Sequence, residues 1–365
     1  MSRQAQVIFI SVYVLIALGI IMTYSASAVY AERVYSNPNH FLTRQLLYAV
    51  LGTLVLFFTA SVPIVFWKRR ARAMILTAIF LLILVYLPVI GHSAGGARRW
   101  IGLGVINFQP AEFAKIAASL YLADYLSRKK NIIKKGSLSV FFPPLLLIGC
   151  ISSLTLLQPD LGSTAFIFLI VVVLFFLGGI RLRYILGSVA LMIPVFYFLV
   201  ARAPYRVSRI TAYLNPWEDP QGSGFQIIQS FLAFGLGGLK GAGLGQGMQK
   251  LFYLPSSYND FIFSILAEEL GLIGILFVLI LYAGIFISGI QMAERAAQDY
   301  EKFLIIALVL SIVLQAVIHM LVTMGLIPTK GLPLPFVSFG GTALIFNMMA
   351  VGLLMALDRQ MRGRG

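Results

Sequence analysis

The sequence predicts an all-α polytopic integral membrane protein with about ten transmembrane helices, both termini cytoplasmic, and a long extracytoplasmic loop between helices 7 and 8. Three observations carry that prediction. Of the 365 residues, 59% are hydrophobic and only 11% charged, with a mean hydropathy of +0.92, which leaves too little polar surface to cover a water-soluble globule of this size. The apolar residues fall into runs long enough to span a bilayer. The basic residues sit between those runs and sort to one side.

The runs lie at 7–30, 45–66, 72–90, 108–126, 138–158, 161–179, 182–201, 262–291, 303–327 and 336–357. A spanning helix needs about 20 mainly apolar residues, and each run supplies roughly that length. The first closes on Ser25-Ala26-Ser27-Ala28, which a signal peptidase could recognise, but the run is longer than a signal core and reads as an uncleaved helix. The second and third are joined by the basic turn Trp67-Lys68-Arg69-Arg70, and the fourth, the most polar, is followed by the basic stretch Arg128 to Lys135. The fifth holds the only cysteine, Cys150, so no intramolecular disulfide can form. After the seventh, residues 202–260 are rich in Pro, Gly, Trp and polar side chains, and a loop that long is usually functional or disordered. Within it, 225–232 has the pattern of a short amphipathic interfacial helix.

With the N-terminus inside, the inner segments hold 17 Lys and Arg against 5 in the short outer loops, and the long loop holds another 5. That asymmetry sets the orientation. The net charge of +15 is therefore a topological marker. It is not gathered into a patch interleaved with aromatics, which excludes a nucleic-acid partner. No repeat of 20 to 50 residues and no inverted repeat of the transporter kind is present.

Only 13 acidic residues exist, so each can be placed. Glu112, Asp160, Asp260, Glu268 and Glu269 fall in or against the outer half of the membrane, where ionisable groups are costly and are functional candidates by default. Asp260 opens the eighth run and suits a helix N-cap. A carboxylate at the water interface can equally act as a general base on a sugar hydroxyl. Glu112 and Lys115 are three apart on one helix, placed either to neutralise each other or to hold an anionic headgroup. Gln109-Pro110-Ala111-Glu112 and Gln158-Pro159-Asp160 both put Gln-Pro before a carboxylate at a helix start, a pattern that capping explains. Arg98-Arg99-Trp100 and Arg44 read either as interfacial anchors or as a clamp for the phosphates of a lipid carrier. Residues 235–247 carry seven glycines in thirteen positions without a following Gly-Lys-Ser/Thr, so they form no nucleotide P-loop and read as a flexible outer loop. His40, His92 and His319 lie too far apart to suggest a tight metal site.

Several of these motifs occur together, and in the same order, in one family. Gly96-Ala97-Arg98-Arg99-Trp100-Ile101 with Phe108-Gln109-Pro110-Ala111-Glu112-Phe113-Ala114-Lys115 resembles its GARRWI and QPSE-x-x-K motifs. Gln158-Pro159-Asp160-Leu161-Gly162 matches its QPDLG. Gly224 to Gly247, Tyr253-Leu254-Pro255 and Asp260 to Gly271 look like its long outer loop and following helix, and Pro333 to Gly341 resembles its closing PLPF-x-S-x-GG. The chain thus resembles the SEDS proteins (FtsW, RodA and SpoVE) over almost its whole length, with a leaning toward the FtsW branch in Arg98-Arg99-Trp100 and Tyr253-Leu254-Pro255.

The resemblance implies one transmembrane domain over 1–365, in the bacterial cytoplasmic (inner) membrane, with 202–260 as its long outer loop. It implies polymerisation of lipid II, a disaccharide-pentapeptide on undecaprenyl diphosphate, into peptidoglycan strands at the outer face during division or elongation. Asp260 corresponds to the family's proposed catalytic base. The motif positions Arg44, Arg98, Arg99, Trp100, Gln109, Glu112, Lys115, Asp160, Lys240 and Ser338 form the candidate substrate-binding set. No metal ligands are assigned, although a divalent cation, Mg or Mn, could join Arg44, Arg98, Arg99 and Lys115 at the departing diphosphate. The implied partners are lipid II, a class B penicillin-binding protein that crosslinks the strands, divisome or elongasome proteins, and membrane lipid. The competing activity is a lipid II flippase. Ser256-Ser257-Tyr258-Asn259 stands where the family often has Glu-x-His-Thr, and Ala111 where it has Ser, so the surroundings of the base are expected to differ.

Overall fold

The computed structural model describes residues 1–364 except 88–89, 95–96, 104–105, 203 and 252, so Gly96 of the GARRWI-like motif lies outside the described residues. Each of the ten apolar runs contains a helix. In chain order these are α1 (Arg3–Tyr35), α2 (His40–Ser61), α3 (Ile64–Leu84), α4 (Pro110–Lys134), α5 (Phe142–Leu157), α6 (Leu161–Leu177) and α7 (Leu182–Ala201). After α8 (Pro204–Leu214) and α9 (Phe225–Gly237) come α10 (Ile262–Glu294), α11 (Asp299–Thr323) and α12 (Gly341–Arg362). Among the described residues, α1, α2, α10, α11 and α12 are by themselves long and apolar enough to cross a membrane, and α5, α6, α9 and the segment Leu182–Pro194 are shorter apolar helices.

Local chemistry starts and stops these helices. The Ser2 hydroxyl accepts from Ala5 N at 3.2 Å and caps α1, while Pro110 opens α4, where the N–H it lacks would have gone unpaired anyway. Asp160 caps α6 by accepting from Ser163 N at 3.0 Å. In the interior, α2 and α12 approach closely at Gly352, where a Cβ would collide with Thr59 Oγ1. Small residues at such crossings let two helices pack without a hydrophobic force to drive them together in lipid.

One end of the bundle gathers most of the charge pairs. Lys130 meets Asp299 at 2.7 Å, Arg364 meets Glu301 at 2.6 Å, and Asp358 accepts from Ser2 N at 3.0 Å while pairing with Arg362. These are the segments whose basic bias assigns them to the inner side, so packing and charge sorting agree on which helix ends lie together.

The opposite end adds an element the apolar runs did not predict. Residues 91–94, 97–103 and 106–108 form a three-stranded antiparallel sheet, β1 (Gly91–Ala94), β2 (Ala97–Leu103) and β3 (Ile106–Phe108), in the order β1-β2-β3. Strand β2 carries Arg98, Arg99 and Trp100, and the pairing of His92 with Trp100 and Ser93 with Arg98 leaves Arg99 as the extra residue of a bulge. The predicted amphipathic helix exists as α9. One side packs on protein, with Ile227, Ile228 and Ala233 buried and Ser230 Oγ 2.6 Å from Ser264 Oγ of α10, while Phe231, Leu232 and Leu236 stay exposed on the other.

Candidate active site

Asp260 lies between α9 and α10, two residues before α10 begins. The N-cap position of α10 is Phe261, and among the described residues no backbone or side-chain donor reaches the Asp260 carboxylate. The capping role open to it in the sequence is therefore not the one it takes. Its backbone N–H donates to Ser256 O at 3.1 Å. Burial raises its carboxyl to about 6, against the pull of the nearby Arg209 and Arg99 charges.

The segment before it is anchored on three sides. Ser257 Oγ donates to Ala26 O of α1 at 3.1 Å, and the Tyr258 ring sits 4.3 Å from that of Phe41 on α2. Ser338 Oγ donates to Asn259 O at 2.8 Å, and Phe339 N donates to Tyr258 O at 3.1 Å. The residues that depart from the family pattern thus serve to hold the Asp260 turn against α1, α2 and the closing motif.

Beside Asp260 opens a cavity of about 210 Å³, lined by Arg99, Arg206, Arg209 and Lys330 as its cationic members, with the acid Asp160 and Gly331 among the rest. Gly331 connects the two features, since a Cβ placed on it would lie 3.9 Å from Asp260 Oδ2. Arg99 is fixed by donating from Nε to Gln158 O at 3.0 Å and from Nη2 to Pro159 O. Asp160 is occupied with Ser163 N, Ser163 Oγ and Gln109 Nε2, the last at 3.3 Å. The two Gln-Pro-acid motifs therefore meet in space. Burial lowers the Lys330 ammonium from its ordinary value. Four cations around one spent carboxylate suit a polyanion such as a diphosphate.

The remaining candidates are placed elsewhere. Glu112 and Lys115 form a buried ion pair at 2.7 Å, and Lys115 also donates to Gln315 Oε1 at 2.8 Å. Gln315 in turn donates to Pro333 O at 2.8 Å, so this pair supports the closing motif from within. Arg44 and Arg98 are exposed, and Trp100 is half-buried on β2 opposite His92. Lys240 is exposed on the glycine-rich turn. Ser338 touches the turn that carries Asp260 rather than the cavity.

The glycine-rich segment differs from the flexible loop its composition predicts. Helix α10 is broken at Gly271 (φ 63°, ψ −161°), which frees backbone groups on both sides. Ala242 N and Gly243 N donate to Glu268 O and Glu269 O at 2.9 and 3.0 Å, and Leu272 N and Ile273 N donate to Gly238 O and Leu239 O at 3.0 and 3.3 Å. The glycines permit that close backbone approach, and the pairing fixes them. Arg206, Arg209 and Lys330 were not among the candidates read from the sequence. Arg206 and Arg209 stand three apart on amphipathic α8, a spacing that marks one helix face and could have singled them out.

Fold and site together define a multi-pass membrane protein whose functional end sets an uncapped acid beside a cation-lined cavity. The family model for FtsW, RodA and SpoVE, described as cell cycle protein, matches residues 5–363. The chain is 42% identical over 362 residues to a probable peptidoglycan glycosyltransferase FtsW of Geobacter metallireducens, covering 99% of this chain and 96% of that one. It is 42% identical over 354 residues to stage V sporulation protein E of Bacillus subtilis, covering 95% of each. Among solved structures it superposes with a TM-score of 0.80 and 28% identity on a chain from work on the structural coordination of polymerization and crosslinking by a peptidoglycan synthase complex, covering 97% of both chains. Rod shape determining protein RodA of Thermus thermophilus gives a TM-score of 0.70 at 25% identity, over 97% of this chain and 96% of that one. The chain belongs to the FtsW/RodA/SpoVE family, the SEDS proteins.

Proposed function

We propose that this protein is a peptidoglycan glycosyltransferase that polymerises lipid II at the outer face of the bacterial cytoplasmic membrane, with Asp260 as general base. The observation that carries the proposal is the pairing of an Asp260 carboxyl raised to about 6 with a cavity holding Arg99, Arg206, Arg209 and Lys330. The 4-hydroxyl of the acceptor sugar gives its proton to Asp260 as its oxygen attacks the anomeric carbon of the donor. The bond to undecaprenyl diphosphate breaks on the opposite face, so the anomeric centre inverts. A base near 6 is mostly ionised at neutral pH yet stronger than an ordinary carboxylate. The diphosphate leaves as a stable anion and needs no acid, only positive charge to receive it.

The cavity's donor set does not fit a divalent cation held by protein alone, because its carboxylate Asp160 is spent on a helix cap and four cations surround it. A Mg or Mn ion belongs to this reading only as a companion of the diphosphate. The chain is read as one transmembrane unit that works with a crosslinking partner, a class B penicillin-binding protein, in division or elongation. The similarity to a chain of a polymerising and crosslinking complex supports that pairing.

The test is glycan polymerisation from labelled lipid II by the purified protein with its transpeptidase partner, wild type beside Asp260→Ala and Asp260→Asn. Polymer from wild type and none from folded variants supports the assignment, and equal polymer from all three sinks it. Movement of lipid II across vesicle membranes that survives in both variants would point to flipping instead.

A further inference from the structure

Asp260 belongs to a short structural unit that is cut off from the rest of its helix. The break at Gly271 separates Ile262–Leu270 from the remainder of α10, so the continuous hydrogen-bond ladder that would hold this half-helix in register is interrupted just nine residues after it begins. Contacts from outside the helix must help fix its position, and beside the Ser230–Ser264 contact and the backbone pairing with the glycine-rich segment, two consecutive acids at its end contribute. Glu268 is 1% exposed and accepts from Met248 N at 2.6 Å and Gln249 N at 3.3 Å. Glu269 is fully buried and accepts from Gly245 N at 3.0 Å and from Lys250 Nζ at 2.7 Å. Ser25 Oγ of α1 lies 2.7 and 2.8 Å from the two Glu269 oxygens, and Lys250 donates to the same hydroxyl at 3.0 Å.

These contacts exceed what solubility or helix formation requires. Two adjacent carboxylates buried at the membrane's edge are expensive, and a buried acid retained with its partners satisfied is a device for fixing one arrangement. The arrangement fixed here joins α1, the glycine-rich loop and the half-helix behind Asp260. Neither acid lines the cavity or lies beside Asp260, so neither can touch the reacting atoms.

We propose that Glu268 and Glu269 are positioning residues for the Asp260 base, clamping the glycine-rich loop onto the break in α10 so that the half-helix presents Asp260 at a fixed place beside the cation cavity. The proposal rests on the glycosyltransferase reading for its catalytic consequence, while the clamp itself can be measured without activity. Loss of either carboxylate frees the half-helix to shift along its axis. Small displacements of a catalytic group are enough to slow a reaction that depends on alignment.

The full-length protein in complex with its transpeptidase partner carries Glu268→Ala, Glu268→Gln, Glu269→Gln or Lys250→Met. Glu268→Ala is expected to lower kcat about a hundredfold while KM for lipid II stays within about twofold. Glu268→Gln, which keeps an oxygen for Met248 N, recovers about a tenth of the wild-type rate. The acid limb of the pH–rate profile moves to lower pH in the alanine variant as the Asp260 carboxyl becomes better hydrated. Hydrogen exchange in residues 256–266 quickens in the same variant, with 341–362 unchanged. Wild-type kcat and an unmoved acid limb in folded variants would overturn the proposal, as would unchanged exchange in 256–266. Failure of the wild type itself to make polymer would overturn the functional reading alone, and the exchange measurement would then decide the clamp.

Discussion

The hydroxyl of Ser338 donates to the backbone carbonyl of Asn259 at 2.8 Å, joining residues 79 apart in the chain and fixing the residue next to Asp260. The same hydroxyl accepts from Leu334 N at 2.8 Å, so one small side chain closes its own turn and holds the turn that leads into Asp260. Ser338→Ala removes both bonds and leaves the half-buried Asn259 carbonyl and the buried Leu334 N–H short of a partner, at a cost of about 1 to 3 kcal/mol. A folded variant with kcat at least about tenfold lower and KM nearly unchanged is expected in the polymerisation assay.

The raised carboxyl of Asp260 sets a pH dependence. With its proton held until about 6, activity should fall about tenfold per pH unit below that point and level off above it. The stability effect has the opposite slope. Because the folded value lies above the ordinary 3.8, the group's contribution is full below about 4 and is lost as pH rises through about 6. Asp260→Asn should therefore melt higher than wild type at pH 8, with the difference vanishing near pH 4. A wild-type melting point equal to the variant's at both pH values would show that Asp260 is not desolvated.

Arg209 lowers the Asp260 carboxyl and lines the cavity, so Arg209→Gln should act twice. The acid limb moves to higher pH, and KM for lipid II rises about tenfold, equivalent to about 1.4 kcal/mol. An unmoved limb with normal KM would remove Arg209 from the site.

Glu112 and Lys115 are mutually buried, so breaking the pair should hurt more than replacing it. Lys115→Met alone is expected to cost about 3 to 5 kcal/mol by leaving an uncompensated buried acid, and Glu112→Leu combined with Lys115→Met to recover much of that. Thermal unfolding in one detergent checks both. A double variant no more stable than the single one would argue that the charges themselves are needed.

At Gly241 the backbone has φ 79°, and a Cβ would press into Glu269 O. Gly241→Ala should destabilise by about 1 to 3 kcal/mol or prevent the loop from seating. Gly235→Ala, where a Cβ meets nothing within 4 Å, is the matched control and should be close to neutral.

The positions of the apolar helices were legible because lipid forces any crossing to satisfy its backbone within one continuous segment, so a local count of apolar residues finds them. The approximate place of Asp260 was legible for a related reason, since so few acids occur that each one near the membrane stands out. The sheet formed by 91–94, 97–103 and 106–108 was not legible, because strands this short give no sustained period. Nor was the fate of the glycine-rich segment, whose composition suits both a free loop and one pressed against a broken helix.

What the sequence by itself determined is thus the helical membrane architecture, the candidate base and, through motif order, the family. What only the tertiary structure decided is which charges meet. Asp260 does not cap its helix, Lys115 turns to Gln315, Asp160 is taken by Gln109 and Ser163, and Arg206, Arg209 and Lys330 converge with Arg99 on one cavity. The hydrogen-bonded partners among these lie between 3 and 200 residues apart in the chain. Hydropathy sums over neighbours in sequence, whereas the strength of a charge or hydrogen bond depends on separations of a few ångströms that helix packing alone sets.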